Sequence, residues 1–451
     1  MGLLTGGIYF LFTGSILDKL KILWASTFFK LILCFYLLHI VGLLWSDNLS
    51  LGLNDIRQKS SMLIIPMILF SSANFSSKTL PTFKVLLLAT LFISSLINIL
   101  GFHVFYEELG LKDIRNMSLF IGHIRYSLVI SLGAAWCFFE LSKKSTYRFS
   151  YLLLLLWFVF YTLESQVFSG LIALLIGILT IILWRVIQHK KWKMLIGISS
   201  VSCFLFLSVL IYLSTPIETP KKVIALNAQT QKAWSEKSSM DLTLEDQKGN
   251  TLRYTLNRYL YSKNYPLDEN GIQKLSKYDV QNIEKGIADI RSAQWGPIAR
   301  LFEIRYEIQV ENDPNLHPII ERLELWQNAW YTIQKNWIIG VGNGDVQSEL
   351  DQSYESRNSA LTAERRLHPH NTFLTYWLTF GIVGIIFVVF LFYFTIRIFI
   401  YRESVMGLVF LFILLSSFLY EDTLDSQAGV TFFALFYAFF GKLSELKNSN
   451  Q

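Results

Sequence analysis

The chain has 451 residues, of which 52% are hydrophobic and only 16% are charged. Soluble domains carry roughly a quarter charged residues, so this composition excludes an ordinary soluble protein and favours a membrane protein. The net charge of +6 is modest, and no polar segment carries a basic stripe, which excludes a nucleic-acid-binding protein. Cys34, Cys137 and Cys203 each stand alone in an apolar run. We therefore expect buried thiols, with neither a disulfide framework nor a Cys-x-x-Cys metal site.

Transmembrane helices are predicted wherever about 20 predominantly apolar residues occur together. This criterion gives about eleven spans and hence an all-α polytopic membrane protein. The predicted spans are 2–17, 27–45, 60–74, 83–105, 119–141, 149–164, 167–188, 194–214, 372–396, 405–420 and 428–441.

One long polar segment, 215–371, lies between the eighth and ninth predicted spans. It contains scattered aromatic residues and helical patterns but no internal repeat, and we expect a mostly helical loop domain. The chain is thus predicted to comprise N-terminal transmembrane helices (1–214), this loop domain (215–371) and C-terminal transmembrane helices (372–451).

The sidedness of the spans follows from lysine and arginine, because the short connections that carry them stay in the cytoplasm. If the spans alternate, the basic connections fall on one side: those with Lys19 and Lys30, Lys143 and Arg148, Lys190 and Lys193, and Arg397 and Arg402. The connections 46–59 and 106–118, the segment 215–371 and the acidic stretch EDTLDSQ at 421–427 then face outward. The N-terminus is expected outside and the C-terminal tail inside.

A helix is predicted at 318–336, because apolar residues recur there at spacings of three and four. Its apolar face is predicted to comprise Ile319, Leu323, Trp326, Trp330, Ile333 and Trp337. Arg322 lies on or beside this face and therefore needs a partner. The alternatives are a carboxylate on a neighbouring turn (Glu321 or Glu324), the ring of Trp326, or an anionic ligand.

The next motif, GVGNGD at 340–345, has the glycine pattern Gly-x-Gly-x-Gly. No strand precedes it and no βαβ unit surrounds it, so it is not a dinucleotide-binding fingerprint. We interpret it as a tight turn that leaves the preceding helix.

A histidine then precedes a predicted transmembrane helix, in the stretch RRLHPHNTF at 365–373. Asn371 or Thr372 is expected to cap this helix. The positive end of the helix disfavours an imidazolium at His370, and a neutral imidazole is what a general base requires. The alternative is an interfacial histidine that makes an ordinary capping bond.

Two arginines, Arg365 and Arg366, lie just upstream of the same helix end. Together they favour an anion such as a pyrophosphate at this position. His368 precedes a proline outside the helix and is the weaker candidate for a base.

Within the predicted spans, Arg125 in GHIRYSL and Glu164 in LESQVFSG are the notable charges. They are expected either to pair with each other or, for Arg125, to reach a lipid phosphate. The sequence contains no His/Asp/Glu set at metal-ligand spacing, no Gly-x-Ser-x-Gly elbow and no P-loop, so no metal or cofactor site is predicted.

The order of these motifs resembles a known superfamily. Arg322-x-x-x-Trp326, the Gly-x-Gly-x-Gly-Asp turn, His370-Asn371-x-Phe373-Leu374 and Gly381-x-x-Gly384 are similar to the shared motif of O-antigen ligases and polymerases. Further stretches resemble one branch of O-antigen ligase-like proteins: GHIRYSL, LLWSDN, IIPMILFSS, LDENGIQKLSKYDVQNIEKGI and YEDTLDSQAGVTFF. The resemblance covers nearly the whole chain from about Ile32 onward.

The resemblance implies a polytopic glycosyltransferase of the bacterial inner membrane with one large periplasmic loop. It implies transfer of a glycan from undecaprenyl pyrophosphate to a hydroxyl of lipid A–core, without a metal or a nucleotide. The proposed base of the family falls on His370, and Arg322 is expected to bind the pyrophosphate with Arg366, Arg125 and Asn371. Family members carry another arginine where this chain has SQVFSG, and Arg125 or Arg366 is expected to replace it.

Three other activities remain open at this stage. An O-antigen polymerase shares the donor and the motif and differs in the acceptor. Transfer of the glycan to a protein is a further enzyme class. A transporter with Glu164 and Arg125 as a relay is the alternative from a different class, although no paired repeats with broken helices are visible.

Overall fold

The computed structural model describes residues 2–12, 14–72, 75, 79–105, 108, 114–143, 146–219, 222–247, 249–293, 297–315 and 317–449. Of the described residues, 74% are helical. These ranges contain no β-strand, only an isolated bridge between Glu245 and Thr251. The predicted all-α architecture is therefore confirmed. Part of the predicted connection 106–118 lies outside the described residues.

The described ranges contain twenty α-helices. In chain order they are α1 (Gly2–Phe12), α2 (Ile16–Ala25), α3 (Thr27–Val41), α4 (Leu49–Gln58), α5 (Ser61–Ser71), α6 (Thr79–Phe105), α7 (His123–Leu141), α8 (Arg148–Glu164), α9 (Phe168–Gln188), α10 (Trp192–Ser214), α11 (Ala228–Ser235), α12 (Leu252–Ser262), α13 (Glu269–Gln273), α14 (Lys277–Glu284), α15 (Pro297–Tyr306), α16 (Pro318–Lys335), α17 (Val346–Ser356), α18 (Thr372–Tyr401), α19 (Val405–Ser417) and α20 (Gln427–Ser449). Short 3₁₀ turns lie at Gly42–Trp45, Ile114–Met117, Ala363–Arg365 and Thr423–Asp425, and a π-helical turn at Glu307–Glu311.

Seven helical segments in the described ranges are long and apolar enough to cross a membrane. They are Thr27–Trp45, α6, α7, α9, α10, α18 and Gln427–Leu446, so the chain is a membrane protein. Four predicted spans correspond to shorter helices. The span 2–17 is divided between α1 and α2, and α5, α8 and α19 have 11, 17 and 13 residues. The count of eleven spans and the outward side of the loop stay predictions.

The chain forms two compact units, Met1–Ile198 with Glu321–Gln451, and Ser199–Ile320. In the first unit, α7 packs against α8, α9 and α19, and α5 packs against α20. The second unit has its own core of buried apolar residues, including Trp234, Tyr259 and Ile272. Capping boxes begin α11 and α14 there, which explains why these short polar stretches are helical. The predicted division into three segments stays a prediction.

Helix α18 is interrupted at Gly381, where φ is 62° and ψ is −156°. The turn after α16 supplies backbone partners there: Val341 N donates to Leu378 O, Gly342 N to Thr379 O, and Ile382 N to Trp337 O, each at 2.9 Å. A Cβ at Gly381 would come within 2.2 Å of the Ile338 backbone. Glycine is therefore required, both for the positive φ and for the close approach.

The predicted apolar face of the helix at 318–336 is wrong in part. Leu325, Ala329 and Ile333 form the buried face of α16, whereas Leu323 and Trp330 are exposed. The segment has apolar side chains in two directions, and spacing alone does not say which direction packs against protein.

The prediction of buried thiols is wrong for two of the three cysteines. Cys137 is buried, but Cys34 and Cys203 are exposed.

Candidate functional site

The residues 368–371, here called the His-Asn turn, lead into α18. The Asn371 side chain accepts a hydrogen bond from Leu374 N at 3.1 Å, which confirms the predicted cap. Its amide nitrogen donates to Leu419 O at 3.2 Å. Both polar ends of Asn371 thus hold the turn in place, which favours a positioning role over the predicted contact with a pyrophosphate.

His370 has a φ of 48°, a left-handed conformation that few non-glycine residues adopt. The carboxylate of Asp422 stabilises it by accepting a hydrogen bond from His370 N at 2.8 Å. Asp422 also accepts from Thr375 Oγ1 at 2.6 Å. One carboxylate therefore connects the strained residue to the first turn of α18.

Helix α16 reaches the same turn through Trp326, whose Nε1 donates to Pro369 O at 2.7 Å. Arg322 lies one helical turn before Trp326 and therefore on the same side of α16. Its positive charge acts on the imidazole of His370 and on the phenol of Tyr420. The structure thus brings the predicted pair, Arg322 and His370, to one place.

The carboxylates considered as partners of Arg322 have other contacts as well. Glu321 lies 3.2 Å from Arg365 Nη1, and Glu324 lies 3.9 Å from Arg357 Nη1. The glutamates of this helix thus help to hold the segment 357–365 against α16.

The ionisation of His370 is set by its surroundings. Burial lowers the pKa of the imidazole, the carboxylate of Glu421 opposes this, and the guanidinium of Arg322 adds to it. The net direction is downward, so the neutral imidazole is favoured. Nδ1 of His370 is buried and has no hydrogen-bond partner among the described residues.

Arg125, at the start of α7, forms an ion pair with Glu421 in which Nη2 lies 2.7 Å from Oε1. Of the two alternatives, its pairing with Glu164 is wrong, because Glu164 Oε1 contacts His103 Nε2 at 3.2 Å, whereas its contact with a lipid phosphate stays a prediction. Since Glu421 also acts on His370, Arg125 belongs to the same site. We call His370, Arg322, Arg125 and Glu421 the transfer cluster.

Arg366, the remaining predicted pyrophosphate ligand, is directed elsewhere. Its Nε donates to Leu361 O at 3.3 Å, and its guanidinium lies 6.0 Å from the centre of the Tyr354 ring. Its backbone carbonyl accepts from Gln347 Nε2 at 2.9 Å. These contacts give Arg366 a place in the packing between α17 and the segment before the His-Asn turn.

The acidic connection, residues 421–427, contributes side chains to the candidate site that sequence reasoning did not place there. Its Glu421 and Asp422 contact the site as described, and its Asp425 begins a second group of charges. Asp425 Oδ1 lies 2.9 Å from Lys59 Nζ, and Asp425 Oδ2 lies 3.6 Å from His368 Nδ1. The sequence did carry a signal for this contribution, namely three carboxylates between two apolar runs. Charged residues beside membrane spans are costly, so they usually have a partner or a function.

Lys59 is at the centre of this second group. Its Nζ also lies 2.6 Å from Asp55 Oδ1, and only 5% of its side chain is exposed. We call Lys59, Asp55, Asp425 and His368 the anchor cluster. It joins the connection between α4 and α5 to the acidic connection and the His-Asn turn.

The charges of the anchor cluster stabilise one another. Burial favours the neutral amine of Lys59, but Asp425 and Asp55 raise its pKa above the ordinary value. Burial likewise opposes ionisation of Asp55, yet Lys59 holds the pKa of that carboxyl at about 2. The pKa of His368 is raised despite burial, because Asp425 lies beside it. The cluster is therefore an ionised network.

Asp422 behaves differently from its neighbours. Burial, together with the nearby charge of Asp425, raises the pKa of the Asp422 carboxyl to about 7.

Ligand atoms of His368, Asp422 and Asp425 lie within 4.8 Å of one another, so the expectation of no such His/Asp set is wrong. The set escaped notice because its members are far apart in sequence. The ammonium of Lys59 supplies the positive charge beside Asp425, and we interpret the set as part of a buried ion network.

The GVGNGD motif at 340–345 forms a turn that docks on the N-terminal part of the chain. Asp345 accepts from Asp47 N at 2.7 Å and from Asn48 N at 3.0 Å. Asn343 Nδ2 donates to Asp55 Oδ2 at 3.0 Å. The motif thus connects α16 to the anchor cluster, in keeping with its interpretation as a structural turn.

Comparison with known proteins identifies the family. The O-Antigen ligase family profile matches residues 151–389, more than half of the chain. The matched range includes Arg322, His370 and Asn371, whereas Arg125, Lys59 and the acidic connection lie outside it. A search of curated proteins gave no match. The chain belongs to the O-antigen ligase family and is accordingly a glycan-processing membrane protein that acts on lipid-linked glycans.

Proposed function

We propose that this protein is an inner-membrane glycosyltransferase of the ligase type, with its site facing the periplasm. It transfers a glycan from undecaprenyl pyrophosphate to a hydroxyl of lipid A–core and inverts the anomeric configuration. Family membership supports the donor class. The basic connections, which the sequence predicts on the side opposite the acidic connection, support the orientation.

The observation that carries the proposal is a half-buried imidazole whose pKa is lowered and which lies near the guanidinium of Arg322, with Arg125 paired to the neighbouring Glu421. A general base must be unprotonated at the working pH, and burial with Arg322 lowers the pKa of His370. Nδ1 of the imidazole has no hydrogen-bond partner in the part of the chain that the structure describes, so its lone pair is not engaged there.

The reaction needs a base and charge stabilisation. The acceptor oxygen attacks the anomeric carbon from the side opposite the diphosphate, and the bond between that carbon and the diphosphate oxygen breaks. His370 takes the proton of the acceptor hydroxyl. The electron pair of the broken bond passes to the lipid diphosphate, whose charge Arg322 and Arg125 stabilise.

The positive end of the helix dipole of α18 adds to this stabilisation, although Asn371 and Phe418 already accept hydrogen bonds from two of the amides in its first turn. Asp422 and Asn371 position the His-Asn turn at that helix end. In the proposed reaction neither of these two residues takes part in proton transfer.

The test is reconstitution in vesicles with an undecaprenyl-pyrophosphate glycan and lipid A–core as acceptor. His370→Ala is expected to abolish transfer while the protein still inserts and accumulates. His103→Ala is the matched control, because His103 is half exposed and contacts Glu164 away from the site, and it should keep normal activity.

Offering a second lipid-linked glycan as the acceptor separates ligase from polymerase. A ligase forms glycosylated lipid A–core and leaves the lipid-linked glycan at one length, whereas a polymerase extends it. Normal transfer by His370→Ala would refute the assignment of the base, and extension without lipid A–core glycosylation would refute the ligase reaction.

A further inference from the structure

Helix α18 is longer than a membrane crossing requires. It has 30 residues counted across the interruption at Gly381, and the part after the interruption, 382–401, by itself gives a length of about 30 Å at 1.5 Å per residue. The hydrocarbon core of a bilayer is about 30 Å thick and needs about 20 residues. Roughly ten residues of α18 are therefore not needed to cross the hydrocarbon core. The exposure of the side chains along α18 indicates which end of the helix these residues occupy.

Exposed apolar side chains are confined to the second part of α18. From Thr372 to Gly381 every residue is buried or half-buried. Exposed side chains begin at Val383 and recur at Ile386 and Val389, whose exposed fractions are 59% and 57%. Because a helix in lipid presents apolar side chains outward, the lipid-facing part of α18 begins directly after its interruption at Gly381.

The turn after α16 presents apolar side chains at the same level. Trp337, Ile338 and Ile339 are each more than half exposed, yet they belong to none of the candidate spans. The backbone of Ile338 lies against Gly381, and Trp337 O accepts a hydrogen bond from Ile382 N. Three consecutive exposed apolar residues next to a lipid-facing helix surface indicate contact with the same lipid.

Two tryptophan side chains lie on the side of Gly381 that is nearer to the His-Asn turn. Trp330 of α16 is exposed, and its ring lies 5.4 Å from that of Trp377 on α18 in an edge-to-face contact. Tryptophan is enriched at the boundary between hydrocarbon and headgroups. Trp330 and Trp377 therefore mark such a boundary slightly closer to the His-Asn turn than Gly381 is.

We propose that one boundary of the hydrocarbon core crosses the protein at Gly381, and that the turn Trp337–Ile339 enters the lipid beside α18. The occupant of this exposed surface is bilayer lipid, with acyl chains against Ile338 and Ile339 and headgroups near Trp330 and Trp377. The first ten residues of α18 stand above the hydrocarbon, inside protein.

The placement also sets the height of the transfer cluster. His370 precedes Trp377 by about seven residues, which corresponds to about 10 Å along a helix axis. The headgroup layer on each side of a bilayer is roughly 5–8 Å thick. The imidazole then lies at the outer limit of the headgroups, where the diphosphate of a lipid-linked donor is accessible. The lipid contact itself does not depend on the proposed reaction.

The test measures depth with nitroxide labels in phosphatidylcholine vesicles. The background carries Cys34→Ser, Cys137→Ala and Cys203→Ser, and single cysteines replace Ile338, Ile386 or Gln352. Gln352 is the control, because it is exposed on the polar helix α17. Oxygen, which partitions into lipid, is expected to collide with the labels at 338 and 386 more often than a water-soluble nickel complex does. The label at 352 should give the opposite order.

Two outcomes would overturn the proposal. A label at 338 that behaves like the one at 352 places the turn in water. A label at 338 that neither reagent reaches places it under protein, such as a second copy of the chain. The label at 386 reports that the protein is correctly inserted. Because no glycan is present, these results are independent of whether His370→Ala loses transfer activity.

Discussion

The transfer cluster and the anchor cluster meet at the acidic connection and are built from the same kinds of residue, but they balance charge differently. In the anchor cluster, the positive charges of Lys59 and of His368, whose pKa is raised, are balanced by the two ionised carboxylates of Asp55 and Asp425. The net charge of this cluster is therefore zero. The transfer cluster has the guanidinium groups of Arg125 and Arg322, the single carboxylate of Glu421 and a neutral imidazole. It therefore keeps one surplus positive charge.

This difference separates a structural use of charge from a functional one. A buried charge without compensation costs several kcal/mol, so the anchor cluster is stable only when it is complete. The surplus charge of the transfer cluster is tolerable because Arg125 is about a quarter exposed, and it is what an incoming diphosphate would neutralise. Changes to the anchor cluster should therefore alter folding, and changes to the transfer cluster should alter rate.

The largest effect is expected for Lys59→Met. This change leaves Asp55 and Asp425 buried without their cation and should destabilise the protein by about 3–5 kcal/mol. Thermal or denaturant unfolding in detergent measures the loss. Lys143→Met is the matched control, because Lys143 is half exposed in an ion pair with Glu140, and such pairs contribute about 0–1 kcal/mol.

A second change sharpens this test. Asp425→Asn in the Lys59→Met background removes one of the two stranded carboxylates and should recover part of the lost stability. If Lys59→Met unfolded like the control, the anchor cluster would not be the ionised network described above.

The next effect is expected for Arg322→Gln, which should lower kcat/KM by about 10²–10³-fold because a donor to the leaving diphosphate is lost. Stability should be nearly unchanged, in contrast to Lys59→Met. The reconstituted transfer assay measures kcat/KM, and the unfolding measurement gives the change in stability. A loss of folding without a loss of specific activity would assign Arg322 to the anchoring function instead.

The pH dependence offers a comparison within the transfer cluster itself. The rate should fall as pH falls through the pKa of His370, because protonation removes the base. Arg322 lowers that pKa and Glu421 raises it. Arg322→Gln should therefore move the acid limb of kcat/KM to higher pH, and Glu421→Gln should move it to lower pH. Shifts in the same direction, or none, would contradict the assignment of His370 as the titrating base.

The sequence was sufficient for the helical architecture and for predicting that Arg322 lies near enough to His370 to act on its charge. Both residues lie in one continuous stretch of motifs, where helix periodicity and a capping asparagine are local signals. The cap at Asn371 was predicted for the right physical reason, since an N-cap side chain satisfies an amide within the same turn.

The rest could not be read from the chain because it depends on packing between distant helices. Asp422 supports His370 from more than 50 residues away, and Lys59 meets Asp425 from the opposite end of the sequence. Nothing local distinguishes the Trp330 side of α16 from its Ile333 side, since both are apolar. Only the neighbouring helices decide which of them is covered.

The smallest effect is expected for Arg366→Gln, and it tests where the transfer cluster ends. The residue was predicted to bind the pyrophosphate, but its guanidinium lies against Tyr354 and Leu361. Removing a half-buried contact of this kind should cost about 1 kcal/mol of stability and leave KM for the lipid-linked donor within about threefold of normal, since that factor corresponds to well under 1.4 kcal/mol. Donor titration in the reconstituted assay checks this, with Arg322→Gln run in parallel. A large rise in KM for Arg366→Gln would mean that the donor draws this side chain away from Tyr354, and the surplus charge of the transfer cluster would then be two rather than one.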